Sequence, residues 1–266
     1  LWLNPLNCWK LLLGCRYQFG KNSTNRDNQQ LFKIKMNTIE LKCTYCGRSY
    51  NKLASKSENS KYCSRDCFDK KAYMLDLGIS CVQILASSVL GDGCLYKAKS
   101  ANYHKYSTNS KYLEYIKYKS SLVAPLKFGS PNGIINNGFS KTTLYQFATQ
   151  PHPKITEIAL EPLDLKLLRL NELGVALSFF DNGSLHQKKG FYNLNTHRHD
   201  KETHIKILIP YFEDVWALYP KLGQERKKDG RHFFYLRFGV ESAKKVNEIL
   251  KEFEPSNSIF KYKTFK

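Results

Sequence analysis

Acidic residues are scarce in this 266-residue chain: 23 Asp and Glu stand against 42 Lys and Arg, a formal net charge of +19. That imbalance points to a polyanionic partner rather than to a merely soluble surface. No run of about eighteen uncharged apolar residues occurs, so no membrane-spanning helix and no membrane partner are expected. Cysteine is limited to eight residues, four of them grouped with metal-ligand spacing. This fits a reducing, intracellular setting and not a secreted disulfide scaffold. Methionine is nearly absent, with two residues, and the first is Met36. Residues 1–35 are uneven in pattern, with a polar patch from Lys21 to Gln30. They are expected to be a leader of upstream translated sequence, with Met36 the native start. Asn4, Pro5 and Lys10 interrupt the moderately apolar residues 1–15, which lack a basic start and a small-residue cleavage site. No signal peptide is expected there.

Aromatic residues, by contrast, are plentiful. The 17 Tyr and 16 Phe argue against a disordered basic tail. They suit strands, and a sheet is a natural way to present Lys and Arg to DNA. Lys-, Asn- and Tyr-rich usage hints at an A+T-rich genome, so a phage-infected host cytoplasm or an organelle is the expected location. The length suffices for one large or two small domains with proper cores.

Cys43 and Cys46 form a C-x2-C pair, and Cys63 and Cys67 a C-x3-C pair. Two close thiolate pairs match tetrahedral Zn²⁺, with buried free thiols as the alternative. Gly47 permits the tight knuckle turn after the second cysteine. The segment resembles small zinc knuckles fused to phage and mobile-element nucleases, and is too small to hold a core without its metal. Arg48, Lys52, Lys56 and Lys61 make it basic. An accessory DNA contact and a purely structural role both remain open.

Two stretches share one grammar. Ile84 to Leu95 reads ILASSVLGDGCL, and Val175 to Leu185 reads VALSFFDNGSL. Each is an apolar helix closing on an acidic or amide residue and then glycine, which is expected to supply a left-handed turn. Taken singly, each also reads as a buried helix with an Asx-Gly cap. The duplication favours two helices meeting along a pseudo-two-fold axis. Small residues Ala86, Ser87, Ser88, Ala176 and Ser178 would let the backbones approach. Asp92 and Asn182 would then be neighbours, and oxygen ligands gathered there suit Mg²⁺ and phosphate.

These residues carry a resemblance. Leu85–Gly93 resembles the LAGLIDADG motif of homing endonucleases, and Val175–Gly183 resembles its second copy, of the form WFMDDG in the single-chain subfamily. Lys111-Tyr112-Leu113-Glu114-Tyr115 is similar to the helix after the first hairpin. Phe147, Thr149, His152 and Pro153 are similar to an F-x-T-x-x-H-P segment, Asn195-Thr196 to an "NT" pair, and Tyr262-Lys263 to a closing "YK". The likeness covers residues 79–263.

The resemblance implies an α+β fold: two pseudo-symmetric αββαββα repeats forming a DNA-binding saddle, plus the zinc-knuckle module. The expected division is leader 1–35, zinc knuckle and linker 36–77, first repeat 78–162 and second repeat 163–266. It implies a monomer, intron-encoded or otherwise mobile, that makes a Mg²⁺-dependent double-strand break at a long double-stranded DNA target. Structural Zn²⁺ would sit in the module. Asp92 would be the principal catalytic metal ligand, with Gly91 and Asp181 beside it and Lys263 as the basic residue at the scissile phosphate. One departure matters: Asn182 stands where the family carries its second catalytic acid. Asp181, one residue earlier, would point elsewhere if the helix geometry is kept. An amide is a poorer partner for Mg²⁺, so impaired cleavage, as nicking or as binding without cleavage, stands beside the full double-strand break. The second class of function is an RNA-binding maturase for the encoding intron, or a catalytically inactive DNA-binding protein on the same fold.

The strand pattern supplies candidate DNA contacts. Tyr96 to Thr108 alternates Tyr with polar and basic residues and offers Lys97, Lys99, His104 and Lys105. Thr196 to Asp200 offers His197, Arg198 and His199. With no third ligand in spacing, the two histidines are read as DNA-facing rather than as a metal pair. The turn Gln224 to Gly230 offers Arg226, Lys227 and Lys228. Lys201 to Leu218 is expected to be a helix interrupted at Pro210. Side-chain facing is ambiguous by one residue, and one residue flips the face.

Overall fold

The structure, a computed structural model, describes residues 37–58, 60–99, 101–135, 143–255, 260 and 263–264. The leader expected over 1–35, and Tyr262 of the closing pair, lie outside them. The chain divides into two compact units, residues 1–41 with 51–60 and residues 42–50 with 61–266. Strands β1 (Thr38–Lys42) and β2 (Ser49–Leu53) form a two-stranded sheet followed by a 3-10 turn, Ala54–Lys56.

The first α-helix of the larger unit is α1 (Arg65–Tyr73), capped by the Ser64 side chain, which accepts from Cys67 N. Two repeats follow. The first contains α2 (Gly78–Ser87), β3 (Cys94–Lys97), β4 (His104–Ser110), α3 (Leu113–Leu122), β5 (Lys127–Ile135), β6 (Thr143–Thr149) and α4 (Pro153–Leu160). After α5 (Leu163–Leu168), the second contains α6 (Glu172–Asn182), β7 (Gly183–His186), β8 (Phe191–Asn195), α7 (Lys201–Thr203), α8 (Ile209–Trp216), β9 (Pro220–Arg226), β10 (His232–Phe238) and α9 (Val240–Glu252). Both four-stranded sheets are antiparallel with the same order, β3-β4-β6-β5 and β7-β8-β10-β9. The duplicated motif thus sits in a duplicated topology. No helix among the described residues is long and apolar enough to cross a membrane.

Helices α2 and α6 pack together at the centre. Ile84, Leu85, Ala86, Val175, Ala176, Leu177 and Ser178 are all buried. Each large apolar side chain so buried contributes roughly 1.5–3 kcal/mol. The small residues permit close approach, and Gly174 shows how close it is. A Cβ there would meet Gln83 Oε1 at 2.5 Å and a Leu170 side-chain carbon at 2.8 Å. Gln83 spans this crossing: its amide donates to Arg169 O (2.7 Å), and its Oε1 accepts from Asn171 N (2.7 Å). Asn171 in turn caps α6 through Gly174 N.

Two local expectations change. Pro210 does not break its helix. The backbone passes from α7 through a π-helical stretch, His204–Leu208, into α8 without a break, and that wider turn lies just ahead of Pro210, which has no N–H to donate. The glycines after the motif residues are not left-handed either: Gly183 has φ −77°, and Gly93 is not among the positive-φ glycines. Space requires glycine at these positions. A Cβ on Gly93 would meet the Tyr106 ring at 2.5 Å, and one on Gly183 would meet Phe179 O at the same distance.

Candidate active site and nucleic-acid interface

The C-terminal ends of α2 and α6 bring Gly91, Asp92, Asp181, Asn182 and Lys263 into one cluster. Past the end of α2, the Gly91 amide reaches back to Ser87 O (2.8 Å), and the Asp92 amide donates instead to Asp181 Oδ2 (2.9 Å). Asp181 therefore does not point away from the site. It also does not suit a metal ligand, because protein donors occupy both of its oxygens. Lys119 Nζ contacts Oδ1 and Oδ2 at 2.7 and 2.8 Å, and Tyr115 Oη donates to Oδ1 at 2.8 Å. The Lys119 and Asp181 side chains are only 1% and 3% exposed. Burial works against the Lys119 charge, but Asp181 outweighs it and the ammonium is held above its ordinary range. Nothing in the sequence pattern singled out Lys119, and Tyr115 stood out only as part of a helix signature. Their positions on α3 meet α6 only through the fold.

Asp92 stands differently. Its residue is half-buried, and no donor among the described residues hydrogen-bonds its carboxylate. Burial, then the charge of Asp181, pushes the carboxyl up to about 6, against the opposing pull of Lys119, Lys263 and Arg198. Asn182 is buried. Its Nδ2 donates to Leu90 O (2.6 Å), while its Oδ1 has no partner among the described residues. The unsatisfied oxygens of the motif ends are a carboxylate and an amide carbonyl, the donor chemistry of a hard divalent cation.

Both helix ends carry a cation. Lys263 Nζ donates to Phe180 O (2.6 Å) and Phe179 O (3.2 Å), and lies 3.5 Å from Asp181 O. Burial pulls its ammonium down to about 8. At α2 the cap comes from the loop after β8: Arg198 donates to Ser88 O (2.6 Å) and Gly91 O (2.5 Å), and His199 Nε2 donates to Val89 O (2.9 Å). Cations at a helix C-terminus oppose the macrodipole and satisfy its last carbonyls. This corrects the reading of Arg198 and His199 as DNA-facing, since their polar groups are committed to α2. His197 packs on the Phe233 ring at 5.2 Å, with its Nε2 buried and without a partner among the described residues.

Strand register resolves the facing of the other candidates. In the first sheet Leu95 pairs with Tyr106 on the helix-covered side, so Lys97 and His104 share that side, while Tyr96 and Lys105 share the open one. His104 accordingly packs toward α4, with its ring nitrogen 3.3 Å from Thr156 Oγ1. Lys105 Nζ lies 4.9 Å over the Tyr96 ring, and Lys99 follows β3 in the hairpin turn. In the second sheet the buried pairs Leu194–Leu236 and Tyr192–Phe238 define the covered side. Arg226 shares their parity through Leu222, at the distal end of β9. Lys227 and Lys228 lie in the turn beyond, Lys227 paired with Glu225 at 2.7 Å. The open face carries Lys221, Asn193 and Arg237 side by side on three strands. Arg237 donates to Asn193 Oδ1 (3.2 Å) and Tyr235 Oη (2.8 Å), and lies 4.7 Å over the Phe191 ring. Counting alternation outward from the buried pairs would have found these residues.

The four grouped cysteines converge, with their sulfurs all within 4.8 Å of one another. Cys46–Cys63 and Cys63–Cys67 are 3.6 and 3.5 Å apart. A tetrahedral ZnS4 centre needs sulfurs about 3.8 Å apart, so the set fits such an ion. At Cys43 burial works upward, yet amide hydrogen bonds from Cys46, Cys63 and Tyr45 outweigh it and hold the thiol at about 6. Hydrogen bonding with Cys67, then burial, pushes Cys63 up to about 12. Without a cation, four thiolates at this spacing repel. Among the described residues, this is the one group of His, Cys, Asp or Glu gathered closely enough to hold a metal by side chains alone.

A family model described as the LAGLIDADG DNA endonuclease family matches residues 82–246. Among solved structures, the homing endonuclease I-WcaI bound to its DNA recognition sequence aligns with a TM-score of 0.62 at 18% identity, covering 76% of this chain and 94% of that one. I-DmoI in complex with DNA and Mn aligns at 0.42 and 15% identity, covering 65% and 98%. No curated protein matches the chain. The likeness to I-WcaI is one of fold.

Proposed function

The chain belongs to the LAGLIDADG DNA endonuclease family, and from that membership we propose that it lays the open faces of its two sheets on a long duplex target and hydrolyses DNA phosphodiesters at Asp92. Residues 78–162 and 163–266 act as the two halves, with 36–77 as a zinc-stabilised module. One observation carries the reading. Asp92 sits where the two motif helices meet, with a half-buried carboxylate that no donor among the described residues satisfies and with three cationic side chains around it.

Asp92 would hold Mg²⁺, with the Asn182 Oδ1 as a neutral second oxygen. Bound there, the metal would supply Lewis-acid polarisation of a phosphoryl oxygen and a more acidic water. The chain's own groups do the rest. Lys263 and Arg198 concentrate positive charge where a phosphate would sit. Lys221 and Arg237 contact backbone phosphates or guanine edges, and Asn193 suits adenine. Asn182 brings no charge to its side, so strand cleavage there is the weaker of the two.

The test is metal-dependent cleavage of a pooled duplex library by this chain, by Asn182→Asp and by Asp92→Asn. Cleavage by the first two and none by the third is the expected result, with the aspartate form cutting both strands faster. Specific binding with no cleavage by any form would remove the nuclease reading. Preference for a structured intron RNA at matched salt would put a maturase in its place.

A further inference from the structure

The buried ion pair behind Asp92 has no place in the chemistry just described. Its contacts tie α3 and β4 of the first repeat to α6 of the second and end on the Asp92 backbone. Lys119 reaches both oxygens of Asp181 and also Thr108 Oγ1 (3.2 Å), Tyr115 donates to Oδ1, and Oδ2 accepts the Asp92 amide. The fit leaves no slack on the Asp92 side. A Cβ on Gly91 would lie 2.4 Å from Asp181 Oδ2. Such pairs add little net stability over a well-packed apolar pair, but they fix geometry strongly.

We infer that Asp181, held by Lys119, is a positioning residue: it grips the Gly91–Asp92 turn from behind and so aims the Asp92 carboxylate. This rests on the reading of Asp92 as the metal ligand. Supports of this kind orient a ligand without touching the ion, and their loss typically costs about 10–100-fold in metal affinity. Removing Asp181 alone would strand the buried Lys119 charge and confound stability with aim. The informative variants therefore change both partners. Lys119→Leu with Asp181→Leu removes the acceptor of the Asp92 amide. Lys119→Gln with Asp181→Asn keeps an oxygen there.

The experiment is Mn²⁺ titration of the full chain followed by electron paramagnetic resonance, with Asp92→Asn marking the site. We expect Asp92→Asn to abolish the site's Mn²⁺ signal, the double-leucine variant to bind about 10–100-fold more weakly, and the glutamine–asparagine variant to recover most of that loss. Wild-type Mn²⁺ affinity in a folded double-leucine chain overturns the inference while leaving Asp92 its role. Unchanged Mn²⁺ binding in Asp92→Asn overturns both. Should the double-leucine chain fail to fold, hydrogen exchange in the unaltered protein decides. The Asp92 amide must be protected like the end of α2, and exchange at the rate of an open loop sinks the idea.

Discussion

Arg198 hydrogen-bonds the carbonyl oxygen of Gly91, the residue immediately before the candidate metal-binding acid. The same guanidinium holds Ser88 O, so one side chain closes the end of the helix that delivers Asp92. Arg198→Met keeps the bulk and removes the donors. Hydrogen bonds from charged groups contribute roughly 1.5–3 kcal/mol, so thermal unfolding should fall by several degrees. Cleavage should fall further than DNA affinity, because the loss lies at the site and not on the open sheet. Equal losses of affinity and rate would mean that Arg198 contacts DNA after all.

Asp92 gives a pH signature. Its folded carboxyl is raised to about 6 from an ordinary 3.8. Between those values the folded chain binds more protons than the unfolded one, so this group makes stability fall as pH rises through the window. The uncharged Asp92→Asn should therefore be more stable than the parent at pH 7, by on the order of 2 kcal/mol. At pH 4 the two should converge. Calorimetry in metal-free buffer at the two pH values checks this. Parent and variant unfolding together at pH 7 would contradict it. Adding Mg²⁺ at pH 7 should close the gap from the parent's side.

Register predicts which arginine matters for DNA. Arg237 lies on the open face beside Asn193 and Lys221, whereas Arg226 follows the parity of the covered face. Arg237→Ala should weaken target binding by about 1–3 kcal/mol if it reads a guanine, and should relax specificity at that position. Arg226→Ala should change affinity much less. Binding of both variants across a salt series separates base reading from phosphate contact, and a stronger effect at Arg226 would invert the assignment of faces.

One Zn²⁺ per chain is expected in the cysteine cluster. Cys63→Ser should lose it, since Cys63 lies within 3.6 Å of two of the other sulfurs. Cys67 belongs to α1 and its amide is the one that Ser64 caps, so metal loss should also loosen α1. Metal analysis with circular dichroism before and after chelation tests both parts. Full helix content in a zinc-free chain would assign the cysteines another role.

The repeats, the motif helices and the cysteine cluster were legible because each rests on local pattern: apolar periodicity, glycine after an acid, paired thiol spacing. What escaped depends on pairs distant in the chain. Lys119 read as one more basic position on an amphipathic helix, and only tertiary packing sets it against Asp181. Arg198 and His199 read as strand-end contacts because nothing local shows that they turn back onto α2. Lys97, His104 and Lys105 all read as DNA contacts although 104 and 105 face opposite ways, an ambiguity that vanishes once Tyr106 is known to be buried. Gly93 and Gly183 read as suppliers of a left-handed turn, where the structure shows instead a lack of space for a side chain.

The capping pattern has a consequence for how such a chain can be cut and rejoined. The first repeat does not contain the groups that close its own motif helix, since Arg198 and His199 lie in the second. The second repeat does not contain the groups that neutralise its own Asp181, since Lys119 and Tyr115 lie in the first. Each half is thus completed by the other in a different chemical form, hydrogen-bond donors to carbonyls one way and a counter-charge the other. A chimera that joins either half to a foreign partner would have to import the matching side chain across the new junction, or leave a buried carboxylate or a row of carbonyls facing nothing.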